Sequence, residues 1–326
     1  MIHISILVPE GECSLANIEG TYQIFSKANE YLAKSGKPSL FRVQLVGLHR
    51  DVSINNGRFS IHPDVLIKEV HRTDLIIIPA VFGDFRKILA ANQDMLSWIV
   101  ERYKEGASVA SLCIGAFILA GTGLLNGRTC TTHWEFSNDF RKMFPTVNLL
   151  DDKVITHEEG IYTSGGAYSW LNLILYLIEK YAGRDIAILC SKAFQIDIDR
   201  NSQSPFIIFS GQRKHEDKDI IKAQDFIEKN VHSKILIHEI ATMLSIGRRN
   251  LERRFKSATG NTVMKYIQRV KIEAVKQNLE SSRLSVNEAM NKVGYSDPKA
   301  FRIVFKKVTG LAPLQYRSKY HRQDQG

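Results

Sequence analysis

Two hydrophobic rhythms alternate along the first half of the chain. Residues 3–8 and 74–79 are short, continuous apolar runs, and the second reads Asp74-Leu-Ile-Ile-Ile-Pro79. Such runs, closed by a charge or a proline, predict central strands of a parallel sheet that are buried on both faces. Residues 41–48 and 108–112 are strand-like as well. Between them, residues 17–34 place Ile24, Phe25, Ala28, Tyr31 and Leu32 at helical spacing. Helical patterns also cover 85–104, 115–125 and 167–181, and a late hairpin is expected near 154–156 and 160–163. Strands alternating with helices predict an α/β fold with helices on both faces of the sheet.

Residues 197–215 break this rhythm. The stretch is rich in Ser, Asn, Gln, Pro and Gly and reads as a linker, with Phe206-Ile-Ile-Phe209 available to dock on a neighbouring surface. Beyond it the pattern is almost entirely helical, over 220–230, 236–244, 248–257, 262–279, 286–293 and 298–308. The expected organisation is an α/β domain over 1–196, a linker over 197–215, an all-α domain over 216–320 and a tail over 321–326.

The helical part contains an internal repeat. In residues 236–255, Ile237, Ile240, Ala241 and Leu244 form one apolar face, Ser245–Gly247 a turn, and Leu251 and Phe255 the inner face of a second helix. In residues 286–307, Val286, Ala289, Met290 and Val293 repeat the first face. Gly294 suits a left-handed helix end, and Asp297 with Pro298 suits a helix start. Each second helix keeps a polar, mostly cationic outer face: Arg248, Arg249, Asn250, Glu252, Arg253 and Lys256 in one, Lys299, Arg302, Ile303 and Lys306 in the other. A helix of this width enters the major groove, where Arg grips guanine and Lys or Arg neutralises phosphate. One helix-turn-helix pattern is weak evidence; two, joined by a long helix, are strong evidence.

Charge sharpens this reading. The chain carries a net charge of +10. Up to His215, 22 basic residues face 22 acidic ones, whereas from Glu216 onward 22 face 12. The whole excess lies in the helical part, which predicts a polyanionic partner there and nowhere else. The four cysteines have no C-x-x-C spacing, no zinc-finger pattern is present, and the N-terminus has no basic leader. A reducing cytoplasm is expected, with no metal and no cofactor. The uncharged stretch 107–126 is nearly long enough to span a bilayer. Its Gly115, Gly121 and Gly123 favour a buried strand, turn and helix instead, so no membrane partner is expected.

Candidate chemistry in the first half centres on Ser111-Leu-Cys113-Ile-Gly-Ala116, a strand feeding a small-residue helix. A nucleophile at such a turn stands above the sheet edge, where a helix N-terminus can lower a thiol pKa and hold an oxyanion. His133, in Thr131-Thr-His133-Trp134, is a candidate base. The plainer reading makes Cys113 a small core residue and His133 a structural one. Two alternatives stay open: a cysteine-dependent hydrolase or glyoxalase-like enzyme whose basic tail tethers it to nucleic acid, and a redox switch at Cys113.

Residues 219–320 resemble the AraC/XylS-type DNA-binding domain. The likeness rests on Ala241, Leu251-Glu-Arg-Arg-Phe255, Thr259-Gly260, Ala289, Val293-Gly-Tyr295, Phe301, Phe305-Lys306, Gly310, Ala312-Pro313 and Tyr316-Arg317. Gly247 departs from that pattern, which usually has a capping Ser. Residues 2–181 resemble the ThiJ/PfpI branch of the class I glutamine amidotransferase-like fold, most closely over 109–134. Here residue 111 is Ser instead of Gly, and Asn17, with Glu19 two residues on, stands where an acid is usual.

Together the resemblances imply a flavodoxin-like parallel sheet followed by an all-α domain with two helix-turn-helix units. They imply a non-catalytic sensor that controls a transcription regulator by binding an unknown small-molecule effector, with a nitrogenous or amide compound as the candidate class. Its binding residues are expected among Asn17, Glu19, Gly83, Cys113, Ile114 and His133. The partners implied are double-stranded DNA, a second copy of the chain in a homodimer and, for an activator, RNA polymerase.

Overall fold

A computed structural model describes residues 1–213 and 215–321. The chain divides into two compact units, Met1–Gln203 and Ser204–Gly326.

The first unit is built on a seven-stranded sheet. Its strands are β1 (Ile2–Val8), β2 (Phe41–Gly47), β3 (Val65–Leu66), β4 (Leu75–Ile78), β5 (Ser108–Ser111), β6 (Ile155–Glu158) and β7 (Ile161–Ser164), ordered β6-β7-β5-β4-β1-β2-β3 across the sheet. All neighbours are parallel except the β6–β7 hairpin. Leu75, Ile76, Ile77 and Ile78 of β4 are all fully buried, as an apolar run in the middle of a doubly covered sheet requires. The helices are α1 (Leu15–Lys34), α2 (Phe85–Ala91), α3 (Gln93–Lys104), α4 (Ala116–Gly121), α5 (Ser137–Met143), α6 (Trp170–Ala182) and α7 (Arg184–Ala193).

Residues 85–104, which read as one helix, are two. The break falls at Asn92, which is fully buried. Its Nδ2 donates to the carbonyls of Glu10 and Ile88, and its Oδ1 accepts from the Glu10 N–H at 2.9 Å. A side chain that satisfies a neighbouring loop's backbone competes with the helix ladder. The helix expected over 115–125 closes at Gly121 and gives way to turns.

The polar stretch 197–215 is divided between the units. Gln203 is fully buried in the first, where its Nε2 donates to the Thr132 carbonyl at 2.9 Å and its Oε1 accepts from the Gly166 N–H at 2.9 Å. Residues 204–213 pack on the second unit: Lys276 Nζ donates to the Ile207 carbonyl, and the Phe209 N–H donates to Glu273. Of the tail expected at 321–326, residues 322–326 lie outside the described residues.

The second unit is helical: α8 (Lys218–Lys229), α9 (Ile237–Met243), α10 (Arg248–Thr259), α11 (Val263–Ser281), α12 (Val286–Lys292), α13 (Pro298–Thr309) and α14 (Pro313–Tyr320). It has two small cores. Ile240, Leu251, Phe255 and Tyr266 belong to one, and Val275, Ala289, Phe301 and Phe305 to the other. The long α11 contributes to both. No helix among the described residues is long and apolar enough to cross a membrane.

Candidate functional site

Two regions place chemistry-bearing side chains together, one in each unit.

In the first unit, a cavity of about 390 Å³ opens beyond the C-terminal ends of β1, β4, β5 and β7. Ligands of open parallel sheets collect at that edge. Ser14 and Asn17 come from the segment after β1, Ala80 and Phe82 from that after β4, Cys113 and Ile114 from that after β5, and Ala167, Tyr168 and Trp170 from that after β7. Residues His133, Glu135 and Phe136 complete the wall. Backbone contacts fix its floor. Asn17 Oδ1 accepts from the Ala80 N–H at 2.9 Å, and the Ser14 N–H donates to the Ala80 carbonyl at 2.9 Å.

Cys113 sits on a sharp strand-to-helix turn. Its φ is +54°, strained for a residue with a side chain. Gly115 lets the turn lie against β4, because a Cβ there would meet the Pro79 carbonyl oxygen at 2.5 Å. The Cys113 N–H donates to Ser164 Oγ at 3.1 Å, and its carbonyl accepts from Thr132 Oγ1 at 3.1 Å.

The elbow is therefore present, but its surroundings do not favour the thiolate. Cys113 is 6 % exposed, and burial pushes its thiol up to about 12, with only the Ile114 N–H pulling the other way. The expected lowering is reversed: the dry surroundings outweigh the helix terminus. His133 Nδ1 accepts from the Glu135 N–H at 3.1 Å, so the neutral ring carries its proton on Nε2. Burial lowers its pKa, against a smaller opposing pull from Glu135. A base needs a free nitrogen aimed at the thiol and a carboxylate behind it; here the second nitrogen is held by a donor. The cavity presents the His133 Nε2–H, the Asn17 side-chain amide and an aromatic wall beside a thiol whose pKa burial raises.

Of the residues expected to bind an effector, Asn17, Cys113, Ile114 and His133 line this cavity. Glu19 and Gly83 are exposed and do not. Glu19 lies two helical positions beyond Asn17, roughly 200° around the axis, where Gln23 Nε2 donates to it. The aromatic wall of Phe82, Phe136, Tyr168 and Trp170 was missed. The available signal was an aromatic in three of the segments that follow strands. Among the described residues, no group of three or more His, Cys, Asp or Glu is placed to hold a metal ion.

In the second unit, α10 and α13 each bury one face and expose the other. In α10, Leu251 and Phe255 are fully buried, while Arg248, Arg249, Asn250, Arg253 and Lys256 are exposed and Glu252 is half-buried. The exposed face is partly locked together. Arg248 Nε donates to Glu252 Oε1 at 3.1 Å, and Arg253 donates to Asn250 Oδ1 at 2.9 Å. Arg254 faces inward, gripping Asp217 and Asp219 at the start of α8, which holds the Asp217 carboxyl below its usual range. In α13, Phe301 and Phe305 are buried, while Lys299, Arg302, Ile303 and Lys306 are exposed.

The helix starts differ. Gly247, at the N-cap of α10, has no side chain to cap with. Asp297 caps α13, its Oδ1 accepting from the Lys299 and Ala300 N–H groups at 2.8 and 3.2 Å.

Comparison with known proteins agrees with both regions. A helix-turn-helix domain model matches residues 240–319, and a DJ-1/PfpI family model matches residues 25–180. The HTH-type transcriptional regulator GbdR of Pseudomonas aeruginosa is 23 % identical over 272 residues, covering 82 % of this chain and 72 % of the relative. A crystal structure of a Vibrio parahaemolyticus protein aligns with a TM-score of 0.53 at 23 % identity, covering 59 % of this chain and 98 % of that one. The crystal structure of an AraC family transcriptional regulator from Pseudomonas putida aligns with a TM-score of 0.51 at 16 % identity, over 60 % of this chain and all of that one. At these identities the structural likeness establishes the fold of the first unit.

Proposed function

The chain belongs to the AraC-type transcription regulators that carry a DJ-1/PfpI domain, and from that premise we propose that the cavity beside Cys113 is an effector site that controls DNA binding by the second unit. The observation that carries this reading is a formed cavity whose cysteine is buried and whose histidine is occupied. Such a site recognises without reacting.

The effector is a small metabolite with an apolar body that packs on Phe136, Tyr168 and Trp170. A nitrogenous group on it finds Glu135 at the cavity wall, and an acceptor finds the His133 Nε2–H. Asn17, Cys113, Ile114 and His133 are the contacts proposed in the first unit. Glu19 and Gly83 stand outside the cavity and have no proposed contact. On the DNA side, Arg249, Asn250, Glu252 and Arg253 of α10 and Lys299, Arg302 and Ile303 of α13 face base edges, while Arg248, Lys256 and Lys306 hold phosphates. The signal passes between the units along the chain that joins them at Gln203–Ser204. The working form is a cytoplasmic homodimer, because paired half-sites multiply affinity. RNA polymerase is the further partner where the effect is activation.

The test is a small-molecule screen against the full chain, read by thermal shift and by promoter binding. A true effector raises the melting temperature of the wild type, loses most of that shift in Trp170→Ala, and still regulates Cys113→Ala at higher concentration, because the thiol is a contact and not a nucleophile. Turnover of a ligand that vanishes in Cys113→Ala would contradict the reading.

A further inference from the structure

We infer that Ile303 is a specificity residue that selects thymine by packing on its C5 methyl group. The inference rests on the DNA-reading role of the second unit and names the chemistry of one contact within it.

Ile303 is 62 % exposed. An exposed isoleucine on its own needs no explanation; its position on α13 does. Each residue advances about 100° around a helix. Ile303 lies two residues from Phe301 and two from Phe305, roughly 200° from each, and both are buried in the core. Its side chain therefore points directly away from the body of the domain.

Its neighbours on that outer face are Lys299 one turn before, Lys306 and Lys307 one turn after, and Arg302 beside it, all exposed. The sequence of α13 holds these four cations and no acidic side chain. The outward ridge is thus an apolar centre with a cation on either side. On a duplex, Lys306 and Lys307 at the far end of the ridge meet the phosphates that border the major groove. The centre of the ridge then faces base edges, where thymine alone among the four bases presents a methyl group. A branched apolar side chain offers no hydrogen bond, so it discriminates by burying that methyl. The outer face of α10 holds no such residue: Arg248, Asn250, Glu252 and Arg253 hydrogen-bond one another there.

The experiment uses the full chain. A preferred duplex is first enriched from random sequence with the wild type. Each thymine of that duplex is then replaced singly by deoxyuridine, which keeps base pairing and removes only the methyl group. The expected result is one position where the replacement weakens wild-type binding about fourfold, the ratio that burial of one carbon's worth of apolar surface gives. At that position Ile303→Ala binds the thymine and uracil duplexes equally, and its own enriched sequence relaxes there. Helix content by circular dichroism confirms that the variant is folded, as an exposed position allows.

If every thymine-to-uracil replacement affects wild type and Ile303→Ala alike, the assignment is overturned. An Ile303→Ala variant that enriches an unchanged sequence overturns it equally. A wild-type chain that enriches no sequence contradicts the DNA-reading role itself, and that failure is distinct from the other two.

Discussion

The two helix-turn-helix units share a plan and differ in how firmly each is set. In the second, the turn places Gly294 at φ +73° after α12, and Asp297 caps α13 through two backbone N–H groups. In the first, the corresponding residue after α9 is Ser245, held at φ +52°, and the cap position is Gly247. Relative to the second unit, the glycine and the residue with a side chain have in effect changed places. A left-handed conformation costs a residue with a side chain about 1 kcal/mol or more, and glycine gives α10 no side-chain cap. The outer faces show the reverse order. On α10, Arg248 and Arg253 are already held by Glu252 and Asn250, whereas among the described residues no such pairing holds the cations of α13. One unit is loosely started with an outer face held by side-chain pairs; the other is firmly started with an outer face of unpaired cations among the described residues.

The largest effects test whether the units are separate. Phe255→Ala and Phe305→Ala should each lower stability by about 3–5 kcal/mol, since both rings are fully buried. Because they lie in different cores, hydrogen exchange should rise in the damaged unit first. Equal loss of protection in both units would show that α11 makes them one cooperative body. Next, Arg253→Ala should weaken binding to a preferred duplex by about 1–3 kcal/mol and relax one base position, while Lys306→Ala should weaken all sequences alike and lower the salt slope by about 1. If Arg253→Ala behaved like Lys306→Ala, the paired face of α10 would be a phosphate clamp.

Smaller effects test the starts. Asp297→Ala should destabilise the second unit by about 1 kcal/mol in a urea titration. Ser245→Gly should act in the opposite direction on the first, stabilising it by about 1 kcal/mol, because glycine adopts that conformation without strain. Gly247→Ser should add only a few tenths of a kcal/mol. A destabilising Ser245→Gly would mean that the hydroxyl makes a contact worth more than the strain it relieves.

Much of this was legible in the sequence, and the exceptions have physical reasons. The apolar run at 74–79, the cysteine elbow, the double repeat and the confinement of charge to the last third all follow from side-chain type and spacing. The weak cap at Gly247 was visible for the same reason. The left-handed Ser245 was not, because nothing in a serine announces a positive φ; only alignment with Gly294 in the other unit reveals it. Gln203 read as linker because its composition is polar, whereas its amide is buried among backbone groups that fold brings from residues 132 and 166. The state of Cys113 was hidden as well. Spacing shows a thiol near a helix start, but the dryness of its surroundings, which sets its pKa, comes from tertiary packing.

The proposed reading of DNA sequence by α10 and α13 can be tested in one step. The most direct measurement is to enrich duplexes from random sequence with the full chain and map the protected bases by footprinting at physiological salt. The expected result is two short preferred blocks within each half-site, in successive major-groove segments on one face and about 10 base pairs apart, with Arg253→Ala erasing part of one block and Ile303→Ala part of the other. Uniform, salt-sensitive binding with no enriched sequence would contradict it.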